Sequence, residues 1–236
     1  MCYLPYIALA SLGLVIYSNT FHVPFQYDDI PAIVKNPYIQ DLFNLKAIAD
    51  AFNTRFLVGL SLALNYSLGR LDVLGYHVFN IAVHVVASFL VYQLSLVTFK
   101  TPALSGHTLL KHQKSISFFI SLIFLTHPIQ TQAVTYIWQR AASLAAIFYI
   151  SSLVFYAKAR LESSRLYYGT SFGLAAIGMF TKETMITVPL TLALYELCFL
   201  GNLKESKPKR FYSVLPFLFL FSVIPLTLMR APQNPL

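Results

Sequence analysis

Between Gly75 and Phe99 the chain runs through apolar residues without a single Asp, Glu, Lys or Arg. Such a stretch is a membrane-crossing helix, because about 20 apolar residues cover roughly 30 Å of hydrocarbon and a helix pairs its own backbone groups there. Further apolar segments lie at about Cys2 to Ser18, Ser115 to Thr126, Ala141 to Ala157, Tyr167 to Phe180, Thr184 to Leu200 and Phe211 to Met229. The composition agrees: 57% of the 236 residues are hydrophobic, 11% are charged, and the mean hydropathy is +0.63. These values lie outside the range of soluble domains. The expectation is an all-α membrane protein, a polytopic bundle of about seven transmembrane helices, with no room for a large soluble domain.

A formal net charge of +8 suggests an anionic partner only once the cations are located. Ten of the 17 fall in alternate connections: Lys100, Lys111 and Lys114; Lys158, Arg160 and Arg165; Lys204, Lys207, Lys209 and Arg210. In the long first loop Lys35, Lys46, Arg55 and Arg70 face five aspartates, Asp28, Asp29, Asp41, Asp50 and Asp72. The positive-inside rule puts the three basic connections, and the N-terminus with them, in the cytoplasm. The charge is therefore read as topology and contact with anionic lipid, not as a nucleic-acid site. The first segment lacks a charged leader and a small-residue cleavage site, so it is read as a helix and not as a signal peptide. Cys2 and Cys198 imply no disulfide framework.

This topology places the connection from Asn19 to Leu74 on the far side, in periplasm or lumen, as a long structured first loop. In "DLFNLKAIADAF", Leu42, Leu45, Ala49 and Phe52 share one helical face and Lys46, Asp50 and Asn53 another, which predicts a helix on the membrane surface. The following "RFLVGLSLALNYSLG" is too short to cross unaided and is read as interfacial or re-entrant.

Four polar groups sit where ionisable residues are costly and so ask for a partner or a task. The first is Asp28 and Asp29 in "FQYDDIP", between prolines that forbid a regular helix. In an extended stretch one aspartate faces a cavity while the other caps or orients, with a solvated turn as the plainer alternative. The second is His77, Asn80 and His84, which share one face of their span; interhelical hydrogen bonding fits better than a metal site, for which no further ligand is visible. The third is "THPIQTQAVTYIWQR", where His127 precedes Pro128 and Arg140 closes the motif, either as an anchor for a phosphate or as a snorkelling cation. The fourth is Lys182 and Glu183 in "FTKET". Adjacent on a helix, they point about 100° apart and each must seek another partner.

The order "FQYDDIPAIVKNP", "YHVFNIAVH", "THPIQTQAVTYIWQR" and "TKET" resembles the membrane half of the transmembrane-and-TPR-repeat O-mannosyltransferases and their bacterial relatives, within the GT-C glycosyltransferases. The resemblance runs from about Phe21 to Leu200, and the third motif is the most specific. It implies a partial GT-C fold whose remaining spans and TPR repeats are absent, the chain ending at "RAPQNPL". It also implies transfer of a sugar, mannose in that family, from a polyprenyl-phosphate carrier to an acceptor hydroxyl on a protein or glycan. The reaction would take place on the non-cytoplasmic face of a bacterial inner membrane or the endoplasmic reticulum membrane.

Such a displacement needs a carboxylate to take the acceptor proton and fixed cations to meet the departing phosphate. Asp28, assisted by Asp29, suits the first role, and Arg140 with Lys182 the second. His127, Glu183, His77, Asn80 and His84 are expected to support them. No cofactor is required, although the sequence leaves a divalent metal open, and a missing C-terminal half or TPR partner is implied. A secondary transporter and a non-catalytic membrane scaffold are the competing readings.

Overall fold

The computed structural model describes residues 3–201 and 207–229. Cys2, Lys204 and the terminal "RAPQNPL" lie outside the described residues, as do the side chains of Lys207, Lys209 and Arg210. Among the described residues the chain is all-α. Helix α1 (Leu4–Tyr17) leads into the long first loop, which holds α2 (Leu45–Phe52) and α3 (Phe56–Gly69). Then follow α4 (Val73–Phe99), α5 (Gln113–Thr126), α6 (Gln130–Thr135), α7 (Arg140–Glu162), α8 (Arg165–Gly178), α9 (Val188–Tyr195), α10 (Lys207–Leu218) and α11 (Val223–Met229).

Local chemistry sets the boundaries. Asp72 caps α4 by accepting from the Leu74 N–H at 3.0 Å, and Asn44 caps α2 by accepting from Ala47 at 3.1 Å. Helix α5 stops at His127, which is extended (φ −62°, ψ 129°) because the following Pro128 excludes a helical conformation there. Asn53 takes φ +44° and ends α2, so that α3 leaves in a new direction.

Long helices α4 and α7 form the spine, with α5 and α1 on α4, and α8 on α7. Small and polar residues let them approach: the Ser171 hydroxyl donates to the Ser152 carbonyl at 2.7 Å, joining α8 to α7. The apolar interior divides into a cluster around α7 to α11 centred on Tyr156 and Phe217, a cluster on α1, α4 and α5, and a cluster beneath the first loop.

Among the described residues, five stretches are long and apolar enough to cross a membrane: Leu45–Gly69, Val73–Phe99, Ile137–Glu162, Glu183–Leu200 and Tyr212–Met229. The expected count of about seven full spans is not reproduced. Helices α1, α5 and α8 have 14 residues each, about 21 Å at 1.5 Å per residue, short of the roughly 30 Å core. Conversely, Leu45–Gly69, expected at the surface, has the length and hydropathy of a span but is broken at Asn53.

Helix α2 buries only part of the face its periodicity suggested. Phe52 is buried as expected, but Ile48 joins it while Leu45 is half-exposed. The reason is Gly59 on α3: a Cβ there would lie 2.4 Å from Phe52 Cδ2 and 3.0 Å from Ile48 Cγ2, so the missing side chain is the seat for both. Leu45 and Ala49 instead line a mainly apolar cavity of about 800 Å³ with Phe56, Leu57, Phe180 and Thr227.

Candidate active site

The segment from Gln26 to Val34 is a turn leading into a wide helical turn, Ile30–Val34, with Pro31 in its first turn, and not the extended stretch expected of it. Tyr27 has φ +46°, a left-handed conformation that costs a non-glycine residue on the order of 1 kcal/mol. The turn sends the two aspartates in different directions. Asp29 is 2% exposed, and its carboxylate accepts from the Trp138 N–H at 2.8 Å and the Gln26 N–H at 3.0 Å. It thereby clamps the first loop to the stretch before α7. Burial pushes its carboxyl above the usual carboxylate range, and the two backbone donors oppose that rise. Asp28 is exposed, and its backbone N–H donates to the Tyr136 hydroxyl at 2.9 Å.

Two cavities flank this turn. One of about 420 Å³ is lined by Asp28, Asn36, Phe52, Arg55 and Trp138. The other, about 360 Å³, is lined by Gln26, Tyr27, Asp29, Gln132, Thr135 and Tyr136. The cation of the first cavity is Arg55, which follows the α2–α3 break. Its guanidinium donates through Nε to Glu183 Oε1 and through Nη2 to Glu183 Oε2, both at 3.0 Å, while the Thr54 hydroxyl also donates to Oε1 at 3.0 Å. Arg55 lies 5.8 Å from the centroid of the Trp138 ring. The Leu57 N–H donates to the Phe180 carbonyl at 3.0 Å, tying the start of α3 to the "FTKET" segment.

The residues expected to form the site separate into those at the cavities and those in the packing behind them. Arg140 is fully buried. It donates to Asn80 Oδ1 at 2.8 Å, the Ser61 carbonyl at 3.1 Å and the Tyr76 carbonyl at 3.2 Å, with Phe79 4.3 Å across its face. The expectation that Arg140 anchors a phosphate does not fit this placement: its donors are committed inside the protein, and it holds α3, α4 and α7 together. Lys182 is half-buried and extended at the head of the turn Glu183–Thr187, and lines neither cavity. Glu183, its sequence neighbour, is bound to Arg55 and not to Arg140 or an aspartate.

His77, Asn80 and His84 form the interelement hydrogen bonds expected of their stripe. His77 Nε2 lies 2.8 Å from the Val23 carbonyl, Asn80 Nδ2 donates to the Val134 carbonyl at 3.2 Å, and His84 Nε2 lies 3.1 Å from the Leu125 carbonyl. They pin the first loop, α6 and α5 to α4. His127 is exposed, and its Nδ1 accepts from the Ile129 N–H at 3.2 Å, capping the turn after α5. Among the described residues no group of three or more His, Cys, Asp or Glu is clustered closely enough to hold a metal ion.

Sequence reasoning missed Arg55, Tyr136 and Trp138 as site residues. Tyr136 and Trp138 lie within the motif already singled out, so their proximity to Arg140 was the available signal. Arg55 carried no signal beyond being a cation in an acidic loop.

No family model matches the chain, and no solved structure matches it. Among curated proteins, it is 30% identical over 217 residues to the mouse protein O-mannosyl-transferase TMTC2, covering 84% of this chain and 24% of that protein. It is 31% identical over 218 residues to the Xenopus laevis protein of the same name, with the same coverage. With the human protein O-mannosyl-transferase TMTC4 it shares 28% over 218 residues, 83% of this chain and 29% of that protein. Fold and site together define an integral membrane protein of the all-α class, with an acid and a cation lining one cavity. Its curated homologues are the TMTC family of protein O-mannosyl-transferases, in the GT-C superfamily. The chain spans about a quarter of the length of the relatives it matches.

Proposed function

We propose that the chain carries the catalytic base and the phosphate-facing cation of a membrane glycosyltransferase. In this reading a sugar, mannose by the relatives' names, passes from a polyprenyl-phosphate carrier to a hydroxyl of an acceptor protein on the non-cytoplasmic face. The observation that supports it is the cavity shared by Asp28 and Arg55. Asp28 presents a carboxylate whose backbone is held by Tyr136, and Arg55 presents a guanidinium whose orientation is fixed by Glu183.

The chemistry follows from these two groups. Asp28 takes the acceptor proton while the hydroxyl oxygen attacks the anomeric carbon. The bond from that carbon to the phosphate oxygen breaks with its electron pair on the phosphate, whose growing negative charge is met by Arg55. Asp29 acts through the backbone, holding the turn that aims Asp28. Arg140 and Asn80 keep the helices behind the cavity in register.

The test uses the chain in proteoliposomes with a labelled polyprenyl-phosphate mannose and an acceptor peptide rich in Ser and Thr. Asp28→Asn should abolish transfer and leave donor binding and membrane insertion intact. Arg55→Gln should weaken donor binding, a readout that needs no turnover. Transfer unchanged by Asp28→Asn removes the base assignment, and donor binding unchanged by Arg55→Gln removes the phosphate assignment.

A further inference from the structure

The opposite end of the same bundle holds a cavity that the transfer reaction does not use. It has a volume of about 390 Å³ and lies among α1, α4 and α5, with Lys114, Gln93, Tyr6, Tyr92, Phe118 and Phe119 on its walls. Tyr6 stands near the start of α1 and Lys114 at the second position of α5, whereas the Tyr17 hydroxyl meets the Leu125 carbonyl (3.0 Å) at the far end of both helices, toward the aspartates. The 14 residues of α5 separate the two ends by about 21 Å.

The walls are held by polar contacts across both helix pairs. The Gln93 amide donates to the Tyr6 hydroxyl, tying α4 to α1, and the Ser117 hydroxyl donates to that of Ser95 at 2.9 Å, tying α5 to α4. Tyr6 packs edge-on against Phe89 and Tyr92, with ring centroids 5.2 and 5.6 Å away, which gives the cavity an aromatic floor. At its rim Lys114 is exposed and makes no ion pair among the described residues. The connection from Lys100 to Lys114 adds Lys111, His107 and His112 and contains no Asp or Glu.

A cation at the mouth, hydroxyl and amide groups at mid-depth and aromatic rings below match an amphiphile with an anionic head. The unopposed positive connection selects that charge sign. Phe119 both lines the cavity and is exposed, so the cavity has an apolar wall on the outside of the bundle, where an acyl chain lies and a soluble anion does not.

We propose that this cavity binds an anionic glycerophospholipid, its phosphate on Lys114 and its upper acyl chain against Phe118 and Phe119. The site is distinct from the sugar-donor cavity and does not depend on the proposed transfer reaction.

The test reconstitutes the full chain in phosphatidylcholine vesicles doped with photoactivatable phosphatidylglycerol, or with the same probe on phosphatidylcholine, and maps the crosslinked peptides. Phosphatidylglycerol should label the peptides carrying Tyr6 and Phe118 about fivefold more than phosphatidylcholine, the preference one lysine confers near an anionic lipid. Lys114→Gln should abolish that preference, Lys114→Arg should restore it, and Lys111→Gln should leave it within about twofold. Equal labelling by both probes, or equal loss with Lys111→Gln and Lys114→Gln, would overturn the proposal, because it would show a diffuse basic field and no site. Complete displacement of the probe by soluble glycerol 3-phosphate would also overturn it, since the cavity would then read a free phosphate and not a lipid.

Discussion

Arg55 and Glu183 stand 128 positions apart in the chain and meet in a two-pronged ion pair at 3.0 Å on each prong. The pair is partly open to solvent, so its contribution to stability is small. Its consequence is geometric: a guanidinium with one edge held by both carboxylate oxygens presents its remaining donors in a fixed direction. Glu183→Gln should therefore lower donor affinity about tenfold, the value of one charge-assisted hydrogen bond, while thermal unfolding changes little. Equilibrium binding of a labelled donor alongside a melting curve separates the two effects. A large fall in melting temperature with unchanged affinity would make the pair a staple of the fold instead.

Asp29 should give stability its own pH dependence. Its carboxyl is raised in the folded protein by burial, so it binds its proton more tightly there than in the unfolded chain. Stability from this source is complete below the unfolded pKa of about 3.9 and is lost as pH rises through the folded value. Melting temperatures of wild type and Asp29→Asn in detergent, followed from about pH 4 to 7, should differ by a wild-type decline that the variant lacks. The variant should also be less stable by about 1–3 kcal/mol, because its amide faces one of the two N–H donors with a donor of its own. Parallel pH profiles would show that Asp29 does not titrate in this range.

Arg140 and Arg55 should respond to substitution in opposite ways. Arg140→Met leaves Asn80 Oδ1 without its donor inside the bundle and takes the arginine's bonds from the Ser61 and Tyr76 carbonyls, at a cost of about 2–5 kcal/mol. Folded yield and melting temperature should fall, while the molecules that fold bind donor normally. Arg55→Gln should do the reverse. Weakened donor binding by folded Arg140→Met would return a ligand role to that residue.

Gly59→Ala tests whether the first loop shapes the Asp28 cavity. The added methyl would meet Phe52 at 2.4 Å, and the Phe52 ring is one wall of that cavity. Displacing the ring should cost about 1–3 kcal/mol and weaken donor binding with Asp28 and Arg55 untouched. An unchanged melting temperature would mean that α2 moves off α3 freely.

Much of this protein is written in short-range pattern. The uncharged run at Val73–Phe99, the stop at Pro128 and the shortness of α5 and α8 follow from residue type and spacing alone, because the bilayer admits few backbone solutions. So does the grouping of His77, Asn80 and His84 on one face, since helical period depends only on position. What that face meets is another matter. Whether α2 turns Leu45 or Ile48 inward depends on a glycine in a different helix. Whether an arginine faces a cavity or the interior depends on acceptors far along the chain, Asn80, Ser61 and Tyr76 for Arg140 and Glu183 for Arg55. Helix rotation and long-range partnership are set by packing among segments that the linear order keeps apart, so only the tertiary structure could exchange Arg140 for Arg55 beside Asp28.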